Sequence, residues 1–377
     1  MATSRIVFWE PNISPHKSDL FNALTAITGS DIEVLVCADR DLLPERAAMG
    51  WSRPLAVRHR EIIAPDERQV EHLVTEQATT TLHIVSGMRH VPTIVSALAA
   101  IRRHGARFAL MSEPRASEGL RGAIRYLQSR LTEGWLRQRT EFVLAIGRHG
   151  PAWFRAVGYP RDRIFPYAYF VAPPAAMTSS SGSTPELKVA YVGRLIRQKG
   201  VADLIDAMAE LGPNHRLTVV GDGPERHNLA ARCQTRKVTA DFTGVLPMDR
   251  IGTLLAGVDV LALASTATDD GWGVVVGEAL MTGTAAVASR CVGASIVLDD
   301  PRLGRVIPPR TPSAIAEAIR DLHSNGGFTA DARRQRRQLA ISMLAPEAGV
   351  NALLDIVHWC DGKGERPLPY LHPPGQL

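Results

Sequence analysis

The sequence predicts an α/β protein built from two doubly wound domains facing a cleft, each a parallel sheet covered by helices. Three observations carry this. Short apolar runs alternate with longer helical patterns along most of the chain, as parallel strands joined by crossover helices require. The candidate strands hold few charges, as strands covered on both faces do. The alternation stops once, at residues 172–186, where APPAAMTSSSGSTPE has the composition of an interdomain linker, and then starts again.

In chain order, strands are expected at Ile6–Trp9, Ile32–Cys37, Leu82–Val85, Phe108–Met111 and Phe142–Ile146, with helices such as Ser18–Thr28 and Thr93–Arg103 between them. Residues 1–171 then form the N-terminal domain. Beyond the linker come Val189–Val192, a helix to Leu211, Leu217–Val220, a helix to Lys237, Ala240–Phe242, a helix to Ala256, and Val258–Leu263, so that residues 187–346 form the second domain. A last helix, Glu347–Cys360, opens a C-terminal segment, residues 347–377, that is free to pack with either domain. The Pro-rich tail after Gly362 is expected to pack poorly.

The 377 residues are 45% hydrophobic and 21% charged, which excludes a disordered, collagen-like or coiled-coil chain. Four cysteines form no CxxC pair, so a reducing compartment is expected rather than a disulfide framework or zinc ribbon. The opening MATSRIVFWEPN is unlike a signal peptide, and no 18-residue apolar run is long enough to cross a membrane. A cytoplasmic location, extending to the inner face of the membrane, is the expectation. The net charge of +5 lies entirely in residues 1–180, and residues 101–163 hold 13 basic residues against 5 acidic ones. There Leu120, Ile124, Leu127, Leu131 and Trp135 recur at helical spacing with Arg121, Arg125, Arg130, Arg137 and Arg139 between them. Core packing is the expected fate of this stripe, and the basic face suits peripheral contact with anionic headgroups. No aromatic-rich strand pattern accompanies the arginines, so nucleic acid is not an expected partner.

Ligands of doubly wound sheets sit outside the carboxyl ends of the strands, so the loops after strands carry the candidate chemistry. Gly193–Gly200, GRLIRQKG, follows Val189–Val192. Gly193 lets the backbone turn, and Arg194 and Lys199 set two cations beside a helix N-terminus, a site for a diphosphate. Asp270–Glu278, DGWGVVVGE, places two acids eight residues apart. Local propensity favours a strand at Val274–Val276. As a strand the segment spans about 26 Å, and as a helix about 12 Å. Only the helix lets both acids meet one small ligand, and the alternation also demands a helix. Asp270 then lies near its start, with the amides of Gly271, Trp272 and Gly273 pointing out of its end.

These two segments carry a family resemblance. GRLIRQKG resembles the Gly-Arg-Leu…Lys-Gly loop of the family-4 retaining glycosyltransferases, and DGWGVVVGEAL resembles their Glu-Gly-Phe-Gly…Glu-Ala segment. VVGDGPE (219–225) and FTGVLP (242–247) match the pattern between the two, so the resemblance covers about residues 189–300. It implies a GT-B fold and a retaining hexosyltransferase of polysaccharide or glycolipid biosynthesis. The donor would be a nucleotide diphosphate sugar bound by the second domain, and the acceptor a glycan or lipid-linked molecule bound by the first. It further implies that Gly193, Arg194 and Lys199 hold the diphosphate, that Glu278 accepts from the ribose, that Asp270 and the amides of Gly271, Trp272 and Gly273 hold the transferred sugar, and that Val245 also contacts the donor. Asp270 departs from the family's Glu by one methylene.

The chemistry suits these residues. Cleavage at a nucleotide diphosphate builds negative charge on the leaving group, which Arg194 and Lys199 can stabilise with no metal or other cofactor. Asp39-Arg40-Asp41 has metal-site spacing but stands in the first domain. Asp269-Asp270 and Asp299-Asp300 are expected as loop acids. In the first domain His16 and Lys17 follow the first strand as candidates for phosphate or acceptor. Glu113 follows Phe108–Met111 as a candidate for the acceptor side or for orienting the sugar, and Arg148 follows Phe142–Ile146. The competing readings are a phosphorylase or sugar-nucleotide epimerase on the same fold, and a nucleotide-binding member without transfer. A dehydrogenase is disfavoured because no GxGxxG follows a strand.

Overall fold

The computed structural model describes residues 2–53, 56–174, 186–268 and 271–371. The chain divides into two compact units. One holds the chain up to Ala47, Ser52–Val171 and Pro346–Leu371, and the other holds Ala48–Trp51 and Ala172–Ala345.

The first unit alternates β1 (Arg5–Glu10), α1 (Pro15–Thr28), β2 (Glu33–Ala38), α2 (Pro44–Ala47), β3 (Arg60–Ile63), α3 (Glu67–Thr75), β4 (Thr81–Ser86), α4 (Pro92–His104), β5 (Arg107–Ser112), α5 (Gly119–Thr132), α6 (Gly134–Arg139), β6 (Val143–Ile146), α7 (Gly150–Ala156) and β7 (Ile164–Tyr167). The seven strands form one sheet in the order β3-β2-β1-β4-β5-β6-β7, every pair parallel. β1 and β4, at its centre, are buried along their whole length. Even polar residues enter this core with partners. Trp9 Nε1 donates to His83 Nδ1 across the two strands at 3.2 Å. Buried Arg5 is ion-paired with Glu33 and Glu76.

The second unit runs β8 (Leu187–Val192), α8 (Val201–Leu211), β9 (His215–Val220), α9 (Arg226–Arg236), β10 (Ala240–Gly244), α10 (Met248–Ala256), β11 (Val260–Leu263), α11 (Val274–Met281), β12 (Ala285–Ser289), β13 (Gly304–Ile307), α12 (Pro312–Ser324) and α13 (Ala330–Leu344). Its six strands are ordered β10-β9-β8-β11-β12-β13, again all parallel. α11 is helical despite its Val-Val-Val start, because the crossover from β11 to the adjacent parallel strand β12 needs a helix there. α13 is clamped to the unit by arginines that satisfy carbonyls at helix ends. Arg333 donates to Ala256 and Val258, Arg336 to Gly283, and Arg337 to Met281. Burial pushes the Arg336 guanidinium down to about 10, helped by Arg333 and Arg305.

The backbone is extended at Ala345 (φ −68°, ψ 153°), and α14 (Pro346–Cys360) then returns to the first unit. Ala330–Cys360 is long and apolar enough to cross a membrane. It is split at Ala345, however, and Leu344, Val350, Leu353, Ile356 and Val357 are buried, so it reads as core. Tyr167 Oη donates to the Gly349 carbonyl at 2.8 Å. Asp361 receives the Thr3 amide at 2.7 Å and Arg107 at 2.8 Å. The tail beyond Gly362, expected to pack poorly, packs at single residues: Arg366 lies over the Phe165 ring, Tyr370 lies against Phe170 and Leu371 is 3% exposed, while Leu368 is 73% exposed.

The arginine-flanked stripe also departs from expectation. It is two helices, because Glu133 (φ −98°, ψ 16°) ends α5 and opens α6 while its buried carboxylate receives Arg89 and Tyr159. Only Trp135 packs inward, stacked on Phe108 at 5.0 Å. Leu120, Ile124, Leu127 and Leu131 are 80%, 60%, 57% and 74% exposed. α5 turns its small face, Gly122 and Ser129, to the protein instead. A β-carbon on Gly122 would stand 2.1 Å from the Ser117 carbonyl, so only glycine fits there.

The core histidines make stability pH-dependent. Burial holds His83 down at about 3, and burial together with Arg46 holds His16 at about 4, against an ordinary 6.5. On acidification the unfolded chain takes up these protons first. Stability is therefore complete above pH 6.5 and is lost as pH falls toward 4 and then 3. Tm measured from about pH 7 to pH 5 should fall, and His83→Gln, which can still accept from Trp9, should lower Tm at neutral pH yet flatten that acid limb. An unchanged acid slope in the variant would remove His83 from this account.

Candidate functional site

In each sheet the strand order reverses once, between β1 and β4 and between β8 and β11. The crevice outside the carboxyl ends of the strands at such a reversal is where open α/β sheets bind ligands.

In the second unit, that crevice is assembled by backbone. After β8 the chain runs through Gly193-Arg194-Leu195, a 3-10 turn at Arg197–Lys199, and Gly200 into α8. Leu195 is fully buried, while Arg194 is exposed and Lys199 half-buried. The loop after β9 lies against this one. The Gly193 amide donates to Val220, the Leu195 amide donates to Asp222, and a β-carbon on Gly221 would stand 1.9 Å from the Gly193 carbonyl oxygen. The loop after β11 holds it from the other side. The Thr266 amide donates to Gln198 at 2.8 Å, and a β-carbon on Gly200 (φ +67°) would stand 2.0 Å from the Ala264 carbonyl oxygen. The Tyr191 hydroxyl donates to the Arg194 carbonyl at 2.8 Å.

The second segment follows β11. Asp270 lies outside the described residues, as does Asp269. Gly273 (φ +82°) caps α11, so the helix begins at Val274. The carbonyls of Gly271 and Trp272 accept from the amides of Gly293 and Ala294 at 3.0 and 2.7 Å, which ties this segment to the loop after β12. Trp272 is 2% exposed, so its indole is an anchor of the fold rather than a contact surface. Glu278 is half-buried in the second turn of α11. Val245, in the turn after β10, is 39% exposed beside Gly50.

In the first unit the reversal is closed by side chains. Lys17 Nζ, in the first turn of α1, donates to Glu10 Oε2 at 2.7 Å and to Ser86 Oγ at 2.9 Å, and Ser86 Oγ donates to Glu10 Oε1 at 2.6 Å. Glu10 ends β1 and Ser86 ends β4, so the lysine bridges the two strands at the reversal. The Lys17 and Glu10 side chains are only 11% and 3% exposed. The ammonium is thus neutralised in place rather than presented to a phosphate. It stands 5.7 Å from the centre of the Tyr169 ring. The Tyr169 hydroxyl is hydrogen-bonded to Glu113, and burial together with the charges of Glu113 and Glu10 pushes it well above its ordinary value. His16, neutral at neutral pH, can accept or donate a hydrogen bond but supplies no cation. Arg148 follows β6, three strands from β1, or roughly 14 Å across the sheet.

The sequence-based candidates therefore fall into two groups. Gly193, Arg194, Lys199, Gly271, Trp272, Gly273 and Glu278 gather at the reversal of the second sheet. Lys17 and Glu113 are joined through Glu10 and Tyr169 at the first. Arg148 stands apart. Glu10, Ser86 and Tyr169 escaped the sequence reading. The one signal was an acid closing the apolar stretch Ile6–Trp9 of β1.

Residues 178–340 match the family model of the glycosyl transferases group 1. The group 1 match covers the unit that carries both motifs. Among curated relatives, the 2-deoxystreptamine glucosyltransferase of Streptomyces kanamyceticus is 33% identical over 139 residues, covering 35% of this chain and 34% of its own length. The alpha-D-kanosaminyltransferase of the same organism is 28% identical over 205 residues, covering 50% of this chain and 52% of its own. The chain thus spans between a third and about half the length of these relatives. Among solved structures, Anabaena Alr3699/HepE in complex with UDP and glucose superposes with a TM-score of 0.69 at 17% identity, over 94% of this chain and all of that one. The two-domain α/β architecture is that of the GT-B glycosyltransferase structures.

The backbone contacts at the second reversal make a direct prediction. Gly200→Ala forces a β-carbon into the Ala264 carbonyl in a left-handed backbone, so the loop bearing Lys199 must shift. Tm should fall, read by thermal melts. A parental Tm would show that the loop tolerates displacement.

Proposed function

We propose that this protein is a metal-independent retaining glycosyltransferase that moves a hexose from a nucleotide diphosphate sugar to a glycan or lipid-linked acceptor. The observation that carries the reading is the loop after β8. Arg194 and Lys199 are mounted on backbone pinned from two sides at the point where an open α/β sheet binds ligands. The group 1 match over the same residues supports it. So do relatives named as glycosyltransferases and a similarly folded protein solved with UDP and glucose.

The transferred sugar's C1–O bond to the diphosphate breaks, and the electron pair stays on the diphosphate oxygen. Arg194 and Lys199 stabilise that charge, a role that fixed cations fill without reorganisation. An acceptor hydroxyl forms the new C1–O bond on the same face and passes its proton to the departing diphosphate oxygen. Glu278 accepts from the ribose hydroxyls. Asp270, with the amides beside Gly273, accepts from the transferred sugar. In the first unit, Glu113, oriented by Tyr169, is the carboxylate for the acceptor side.

Calorimetry beside donor consumption tests these assignments. Lys199→Ala should weaken nucleoside diphosphate binding about tenfold or more while leaving nucleoside binding near parental. Glu278→Gln should weaken both, and Asp270→Asn should spare nucleotide binding but cut turnover. Turnover should persist in excess chelator. Loss of free nucleotide binding in Asp270→Asn would mean that the two acids' roles are reversed. Binding without any turnover on a panel of donors and acceptors would favour a nucleotide-binding member over a transferase.

A further inference from the structure

We infer that α5 is a docking surface for an anionic phospholipid bilayer. Leu120, Ile124, Leu127 and Leu131 are spaced four, three and four residues apart, so they fall within about 60° of one another around the helix. All four are more than half exposed, whereas isolated exposed leucines are the ordinary case. The face that meets the protein, Gly122 and Ser129, lies diametrically opposite, so the stripe points straight out from the first unit. Exposed Arg121 and Arg130 lie about 90° to either side of it. Arg125 lies nearer the protein and donates to the Ala116 carbonyl. α5 has three arginines and no acid between Gly119 and Thr132. The nearby acids Glu133 and Glu141 are taken up by Arg89 and Arg107, and one acid, exposed Glu118, stands at the start of the helix.

An apolar ridge with a cation on each shoulder is the profile of a helix lying in the membrane interface. Its leucines enter the acyl boundary while the arginine stems reach back to phosphate headgroups. A second copy of the chain fits less well. A two-fold contact would set the arginines of both copies against each other, and a ridge of this length and width, about 200 Å², is far below the roughly 1,200 Å² of a stable interface. A bilayer needs no matching patch and supplies the opposite charge. The inference stands on α5 alone and is independent of the proposed activity.

Co-sedimentation of the full chain with phosphatidylcholine vesicles, and with vesicles of equal parts phosphatidylcholine and phosphatidylglycerol, tests it. The protein should partition onto the anionic vesicles at low salt, leave them as salt rises, and ignore the neutral ones. Leu120→Ala with Leu127→Ala should lower partitioning about tenfold or more, at unchanged Tm because both side chains are in solvent. Arg121→Gln with Arg130→Gln should do the same on anionic vesicles by removing the charge alone. Equal partitioning onto both vesicle types would overturn the inference, as would anionic binding that the leucine pair does not weaken. Lipid-free dimerisation abolished by the leucine pair, with no vesicle binding, would assign the ridge to a second copy.

Discussion

The second unit depends on backbone meeting backbone with no side chain between. Gly200 lies so close to the Ala264 carbonyl, and Gly221 to that of Gly193, that a single added carbon at either would fall inside van der Waals contact. Those approaches weld the loops after β8, β9 and β11 into one body at the reversal of the sheet. Arg194 and Lys199 ride on that body, and the amide-rich entrance to α11 is tied to the loop after β12 in the same way. Charge mounted on so fixed a backbone is preorganised, as the proposed diphosphate site requires.

The first unit meets the same topological demand by different means. At its reversal, the ends of β1 and β4 are joined by Lys17, Glu10 and Ser86, a charge pair almost removed from water. Removing either partner would leave an uncompensated charge in a dry place, at a cost of about 3–5 kcal/mol. The pair is complete, so it fixes α1 against the sheet without creating a net field. Tyr169 and Glu113 extend the network across to β5. The result is a buried polar network whose one ammonium is already neutralised, rather than a cationic pocket.

Much of this was legible in the sequence. Strands with a mainly apolar stretch, such as Ile6–Trp9 and Leu217–Val220, announced themselves, and the crossover rule turned Val-Val-Val into a helix against its propensity. Strands that escaped were short or chemically quiet: AAVAS is built mostly of alanine, IFPY carries a proline, and REII and GRVI are charged four-residue pieces. Periodicity placed the α5 stripe on one face but could not say which way that face turned. That was decided by Gly122 and the Ser117 backbone, a tertiary contact with no periodic signature. The packing of Arg366 and Tyr370 on the phenylalanines of the first unit was hidden for the same reason.

The uneven spread of recognisable motifs follows from these two ways of closing a sheet. Where backbone touches backbone, the position admits glycine and nothing else, so the constraint is written as identity at fixed spacing, and residues 178–340 match a family model. Where side chains close the gap, the requirement is only a satisfied network, which several combinations of acid, base and hydroxyl could meet at slightly different positions. Lys17, Glu10 and Ser86 come from three separate elements, 7 and 69 residues apart, and no local pattern could flag them. The second unit can thus be read from its loops, whereas the first must be read from its side chains in place.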